Sequence, residues 1–453
     1  MLRSSLTSAA AMSRNLVLTG TFIHTPSKTK LEVLTNTAVF VENGVITSIM
    51  PATSSLPSTH HHIASPEGSF FFPGFIDTHI HASQYPNSGI FGTSTLLDWL
   101  KKYTFPLERS LADPVKARQV YSRVLQRTLA NGTTTASYFA TIDVDTTNLL
   151  ADLALETGQR AFIGRNCMDQ ESPADYVDPT PEASVERTQR VVEHCRKIDP
   201  EGKLIRPIVT PRFAPTCSAK SLRGLGDLAE KEDLHIQTHL SENKPECEWV
   251  AQLFEGSKSY AHVYDDAKLL TPKTVLAHVV HVSDEEVKLL AERKSGVAHC
   301  PVSNNALGSG CCGVKRLMRA GVKVGLGTDV SGGYSCSVLE NVRQATLVSS
   351  LVALQDGSKG EEEKLTFIEA LWLATRGGAE VMGLEDKVGG FEVGKEFDAQ
   401  LVGLGTVEGK VKDSAVDVFG WEDWEEKTAK WVYRGDERNT LKVWVAGREV
   451  YSK

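Results

Sequence analysis

From Phe70 to about residue 328 the chain alternates apolar, strand-like runs with helical stretches, and eight such runs follow one another: 70–78, 133–139, 160–167, 204–210, 235–240, 275–280, 296–300 and 322–328. A strand buried on both faces reads as a near-continuous apolar run, because helices cover both sides of a parallel sheet. Eight strand–helix units in succession close into a parallel (β/α)8 barrel of the TIM type, with its helices outside. Helix ends support the reading. Asp113 before Pro114 predicts an N-cap and a first-turn proline for a helix to about Ala130. Ser283 with Glu286 predicts a capping box for a helix to Arg293. Asn131-Gly132, Gly296 and Gly321 stand where C-terminal glycines end helices.

Strand character continues outside this region. Val39 to Thr47 alternates apolar and polar residues around Asn43-Gly44, a hairpin signal. Ala399 to Val402 and Lys442 to Val450 read as strands near the other end. A β segment at each end predicts one discontinuous small β-sandwich domain, from residues 15–69 and 389–453, with 70–388 as the catalytic barrel. Residues 51–69 read as a polar loop in which His60, His61 and His62 are solvated, since consecutive residues do not converge on one ion. Residues 1–14 hold two arginines and no acid, and the first acidic residue is Glu32. That composition reads as a disordered tail in preference to a mitochondrial presequence, so a cytoplasmic location is expected.

The 453 residues are 41% hydrophobic, enough for a large core, and no run is long and apolar enough to span a bilayer. A net charge of -8 argues against nucleic acid as a partner, because phosphate binding needs a basic face. Eight cysteines are scattered without C-x-x-C pairs, as expected for reduced thiols. The adjacent Cys311 and Cys312, and Cys167, are read as packed thiols.

Chemistry concentrates at the ends of the runs. Pro73-Gly74-Phe75-Ile76-Asp77-Thr78-His79-Ile80-His81 ends the first. Side chains two apart on a strand share a face, so His79 and His81 point together. His239 ends the fifth run, His278 the sixth, and Asp329 follows the eighth. The C-terminal strand ends of such a barrel share one mouth, where active sites sit. Core histidines placed at random would not all fall there. Three imidazoles and a carboxylate leave a position for water, the pattern of a catalytic metal site, and ligands without thiolate suit zinc best, with iron(II) as the alternative. Such an ion lowers the pKa of its water from 15.7 to about 7. Glu242, three residues past His239, is placed to move protons beside the metal. On residue type alone His278 is either a further ligand or a donor to the bound water. No G-x-G-x-x-G or Walker loop is present, so no nucleotide cofactor is implied. The H-x-E with P-C-x-x-C pattern of the cytidine-type zinc deaminases is also missing.

From Asn15 to Tyr451 these residues resemble the amidohydrolase superfamily. The H-x-H, His, His and Thr-Asp set matches its mononuclear deaminase branch. The bridging lysine of the two-metal branch is missing, since the fourth run ends in Thr210-Pro211-Arg212-Phe213. Within the branch, five stretches are similar to the guanine deaminase family. They are His79-Ile80-His81-Ala82-Ser83-Gln84-Tyr85, Arg160 to Asp169, Pro211-Arg212-Phe213-Ala214-Pro215-Thr216-Cys217, His239-Leu240-Ser241-Glu242-Asn243, and Gly327-Thr328-Asp329-Val330-Ser331-Gly332-Gly333. The resemblance implies one zinc ion per subunit on His79, His81, His239 and Asp329. It implies Glu242 as proton shuttle, with His278 and Asp329 holding the hydroxide. It implies that Gln84, Arg212 and Phe213, with His239, Glu242 and Asp329, bind guanine, and that subunits pair as homodimers. Attack of the hydroxide at C2, with protonation of N3 by Glu242, would release ammonia and leave xanthine. An arginine fork suits the O6 and N7 acceptors of guanine, and the 6-amino donor of adenine would be rejected. His299-Cys300-Pro301-Val302-Ser303-Asn304 is read as ordering the rim, and His281 as facing solvent. Two alternatives share these features: a deaminase of another aminated ring (cytosine, triazine or adenosine-type) on the same barrel, and a metal-free scaffold for binding partners.

Overall fold

The structure is a computed structural model that describes residues 15–52, 56–90, 92–355, 357–406 and 414–453. The expected tail over 1–14 lies outside the described residues. Strands β1 (Leu16–Ser27), β2 (Lys30–Glu42), β3 (Val45–Pro51), β4 (His61–Ala64) and β5 (Ser69–Pro73) come first. Then follow β6 (Phe75–His81), β7 (Thr133–Phe139), β8 (Arg160–Gly164), β9 (Asn166–Cys167) and β10 (Ile205–Pro211). β11 (His235–Leu240), β12 (Thr274–His278), β13 (Gly296–His299) and β14 (Lys323–Leu326) complete this series. β15 (Ala399–Gly403), the short pair β16 (Gly405–Thr406) and β17 (Asp417–Val418), then β18 (Thr440–Val445) and β19 (Arg448–Ser452) end the chain.

Eight of these strands form the expected barrel, in the order β14-β13-β12-β11-β10-β8-β7-β6, all parallel, with helices between. The helix Pro114–Ala130 starts on the Asp113 cap, and Asp284–Arg293 carries the Ser283/Glu286 capping box. Gly296 does not end that helix. Lys294 takes the left-handed conformation at its C-cap, and Gly296 opens β13, where a Cβ would meet Val381 at 2.9 Å.

The terminal strands form one sheet in the order β19-β18-β15-β5-β1-β2-β3, with β4 beside β1. It folds over, so the hairpin turn at Asn43-Gly44 meets the turn at Ala446-Gly447, where a Cβ on Gly44 would lie 2.4 Å from the Ala446 carbonyl. Between the layers lie Phe22 and Phe71, stacked at 4.6 Å, with Phe397 and Trp444. His61 and His62 therefore belong to an added strand and not to a loop: β4 runs parallel to β1, and the His62 ring bonds Thr19. Both histidines remain exposed.

The run 70–78 proves to be two strands. β5 pairs antiparallel with β15 in the terminal sheet, and β6 opens the barrel. The turn between them is Gly74, where any Cβ would lie 2.2 Å from Thr134. Phe70, Phe71 and Phe72 of β5 are all buried because both faces of the strand are covered. Phe71 faces the terminal core, while Phe70 and Phe72 pack on Trp431 of the helix Trp424–Arg434. A continuous apolar run signals burial on two sides, whatever does the covering. Buried Arg160, paired with Glu396 and Asp398, also ties the two units together.

The barrel closes between β6 and β14 without a regular ladder. Asp329 N donates to His79 O (2.8 Å), His81 N to Val330 O (3.1 Å) and Thr78 Oγ1 to Leu326 O (2.9 Å). The carboxylate of Asp77, fully buried, accepts from Thr328 N (2.9 Å) and Thr328 Oγ1 (2.5 Å). Burial pushes the Asp77 carboxyl up to about 7, against the pull of these hydrogen bonds. Thr328→Val keeps the shape and removes one donor from a buried acid. It is expected to destabilise the fold by about 1–3 kcal/mol, read as a lowered midpoint in urea unfolding.

Candidate metal centre and ring-binding pocket

Five residues from four strand ends converge at the barrel mouth. His79 and His81 end β6, His239 lies near the end of β11, His278 closes β12, and Asp329 follows β14. His79, His239, His278 and Asp329 each offer one ligand atom, and these atoms all lie within 4.8 Å of one another. His81 reaches the same spot, with Nε2 3.2 Å from His239 Nε2 and 3.4 Å from Asp329 Oδ1. The backbone is strained to bring them there. Ser241, His278, Val279 and Asp329 all have positive φ, at 50°, 75°, 51° and 46°. That region is uncommon for residues other than glycine, and for branched valine most of all.

Hydrogen bonds set the ring orientations. His239 Nδ1–H donates to Arg212 O (2.6 Å) and His278 Nδ1–H to Asn304 Oδ1 (2.8 Å), so in each ring Nε2 carries the lone pair when the ring is neutral. Asn304 thus does the rim-ordering work read from its motif. Burial first, then the neighbouring imidazoles, holds His81 and His239 well below the ordinary histidine range. Burial lowers His79 as well, against the opposing pull of Asp329. Asp329 is held below the usual carboxylate range: burial opposes this, but the hydrogen bond from His79 and the pull of the surrounding imidazoles prevail.

This donor set fits a divalent ion. A metal–nitrogen distance of about 2.0–2.1 Å makes a tetrahedral edge of about 3.3 Å between ligand atoms. His79 Nε2 to Asp329 Oδ1 is 3.2 Å, and the His81 spacings are 3.2 and 3.4 Å. His278 Nε2 is set back, 3.8 Å from Asp329 Oδ2 and 3.5 Å from Glu242 Oε2, and among the described residues has no hydrogen-bond partner although buried. A buried ring nitrogen without a partner is costly unless something else meets it.

Glu242 lies beside this cluster. Ser309 Oγ donates to its Oε1 (2.9 Å), and Glu246 Oε2 accepts from its backbone N–H (2.8 Å). Burial pushes the Glu242 carboxyl up to about 7, despite the pull of His278. His278 is raised, because the charges of Glu242 and Asp329 outweigh its burial. His281 is not turned to solvent: its Nε2–H donates to Ser309 O (2.7 Å) and so supports the loop that holds Ser309.

One pocket joins Gln84, Arg212 and Phe213 to His81, His239, Glu242 and Asp329. Leu96, Trp99, Leu100 and Leu307 supply its apolar wall. Arg212 is 2% exposed and ion-paired with buried Glu108. Among the described residues, its Nε and Nη2 bond to no protein group. Phe213 stands edge-on to His239 and Trp249. The residues that sequence reading missed are Glu108 and the apolar wall at 96–100, both in the segment between β6 and the helix Pro114–Ala130. No metal-type spacing marks them. The one available signal is an acid, Glu108, directly after the apolar stretch Phe105-Pro106-Leu107.

Comparison with known proteins agrees with this geometry. The pattern of the Amidohydrolase family matches residues 70–450. The chain is 48% identical to the probable guanine deaminase of Schizosaccharomyces pombe over 445 residues, 96% of this chain and 83% of that protein. It is 42% identical to guanine deaminase of Homo sapiens over 446 residues, 96% of each chain. The crystal structure of guanine deaminase from C. acetobutylicum, with guanine bound in its active site, superposes with a TM-score of 0.87 at 32% identity, covering 96% of this chain and 100% of that one. The chain belongs to the amidohydrolase family, and within it to the guanine deaminases.

Proposed function

We propose that this enzyme hydrolyses guanine to xanthine and ammonia, using one zinc ion. The observation that carries the reading is a single pocket. In it, unpaired donors of Arg212 and the amide of Gln84 open beside Glu242 and the imidazole–carboxylate cluster. Zinc, held by His79, His81, His239 and Asp329, would lower the pKa of its water so that a proton can be taken from it near neutral pH.

The remaining work falls to side chains. Arg212 offers a donor fork to the O6 and N7 acceptors of guanine. Phe213 presents an aromatic ring for stacking, and the apolar wall excludes water from the ring. Glu242 moves the protons. Its Oε1 is held by Ser309, so Oε2, facing His278, takes the proton from the attacking water and passes it to N3. Its pKa near 7 suits a group that must both accept and donate at neutral pH. His278 and Asp329 hold the attacking water in line with C2. Glu242 then takes the remaining proton of the added hydroxyl and passes it to the exocyclic nitrogen, the bond from C2 to that nitrogen breaks, and ammonia leaves as the C2 carbonyl of xanthine forms.

The direct test is ammonia release by zinc-loaded protein from guanine, adenine, cytosine and melamine. Release from guanine alone is expected; release only from another ring would sink the substrate assignment and spare the metal site. Atomic emission should find one zinc per chain, lost in His239→Ala; unchanged metal content in that variant would remove His239 from the ligand set. Glu242→Gln is expected to keep zinc and to lose about 10²–10⁴-fold in kcat. A fully active variant would mean that another group moves the proton.

A further inference from the structure

We infer that Glu108 is the positioning residue that sets the hydrogen-bonding pattern of the ring pocket, an inference resting on the guanine reading above. Glu108 is fully buried, on the short helix Phe105–Ser110 outside the barrel strands. Its two oxygens serve different donors. Oε1 accepts from Gln84 Nε2 (3.0 Å); Ser83 Oγ lies 3.4 Å away, with its single proton shared with the nearer Ala140 O (3.1 Å). Oε2 accepts from Arg212 Nη1 (2.5 Å) and Tyr176 Oη (2.9 Å). One carboxylate thus grips the two polar side chains that the pocket turns toward the ring, from the ends of β6 and β10. The Arg212 guanidinium is held from a second side by the Phe105 ring, 5.1 Å away.

The grip fixes a choice that is otherwise free. A glutamine amide rotates by half a turn at little cost and exchanges its donor for its acceptor. Here the Ser331 N–H points at Gln84 Oε1 (3.3 Å) and the Glu108 carboxylate at Gln84 Nε2. A carboxylate only accepts and a backbone N–H only donates, so one orientation of the amide satisfies both. The remaining donor and acceptor of Gln84 are then presented in a fixed order. The same carboxylate occupies Nη1 of Arg212 and leaves Nη2 and Nε for the ligand. Glu108 also lies just after Leu96, Trp99 and Leu100, so the segment that walls the pocket is anchored through the groups that read the ring.

Glu108→Gln has nearly the same volume and turns one acceptor into a donor. That donor must face either Gln84 Nε2 or Arg212 Nη1, both of which donate. We expect KM for guanine to rise about 10- to 100-fold, with kcat within about threefold and zinc content unchanged. Discrimination against 2-aminopurine, which lacks O6, should shrink. Glu108→Asp, which keeps the charge, should recover part of the loss. In a Gln84→Ala background the Glu108→Gln change should cost less than about threefold, because the amide it misorients is gone. Wild-type KM in Glu108→Gln would overturn the assignment. So would a joint fall of kcat, zinc content and melting temperature that Glu108→Asp does not relieve, since that marks a purely structural role. Should the wild-type protein spare guanine and act on another ring, the guanine reading falls, and the same comparison on that ring still decides Glu108. A crystal structure of Glu108→Gln decides it without turnover: an unmoved Gln84 amide and Arg212 guanidinium would overturn it.

Discussion

The seam between β6 and β14 is the constraint on which the rest of this structure depends. A barrel of eight strands has no edge only if the first and last meet, and here they meet without a regular ladder. The bonds that close it are Asp329 N to His79 O, His81 N to Val330 O and the Asp77–Thr328 contacts. The same residues, or their immediate neighbours, carry the ligand atoms. Closing the barrel and assembling the centre are therefore one event, which is why an acid as costly to bury as Asp77 sits two residues from a ligand.

The mouth is expensive in other ways. Four residues there adopt a left-handed backbone, and among the described residues His278 Nε2 and His81 Nδ1 are buried without a hydrogen-bond partner, beside several buried carboxylates. Each of these features opposes folding. They persist because the surrounding strands and the backing bonds from Arg212 O, Asn304 and Ser309 over-determine each ring and carboxylate. The result is a set of groups whose orientations are fixed by protein partners, as electrostatic preorganisation requires. Glu242 and Gln84, to which the proposed function gives the proton transfer and the ring, are backed by Ser309 and by Glu108 with the Ser331 N–H.

Much of this was legible in the chain. Eight apolar runs mark the eight barrel strands, and the capping signals at Asp113 and Ser283 mark two outer helices where they occur. His79, His81, His239, His278 and Asp329 do meet, because strand ends in a closed barrel have one place to go. Failures have equally local causes. The run 70–78 was one signal for two strands, since burial on both faces erases the alternation that would separate them. The histidines at 61 and 62 read as loop because a short strand beside β1 has little pattern of its own. His281 read as solvent-facing because the carbonyl of Ser309, its partner, is 28 residues away.

By itself the sequence determined which elements form and which residues arrive at the mouth, since strand period, capping and barrel closure act on neighbours along the chain. Only the tertiary structure decided how those residues face one another. The setback of His278, the two-sided grip of Glu108 on Gln84 and Arg212, and the crossing at Gly74 each depend on groups tens to hundreds of residues apart. Hydrogen-bond geometry and exclusion from water bring such groups together only in three dimensions, and no spacing along the chain encodes them.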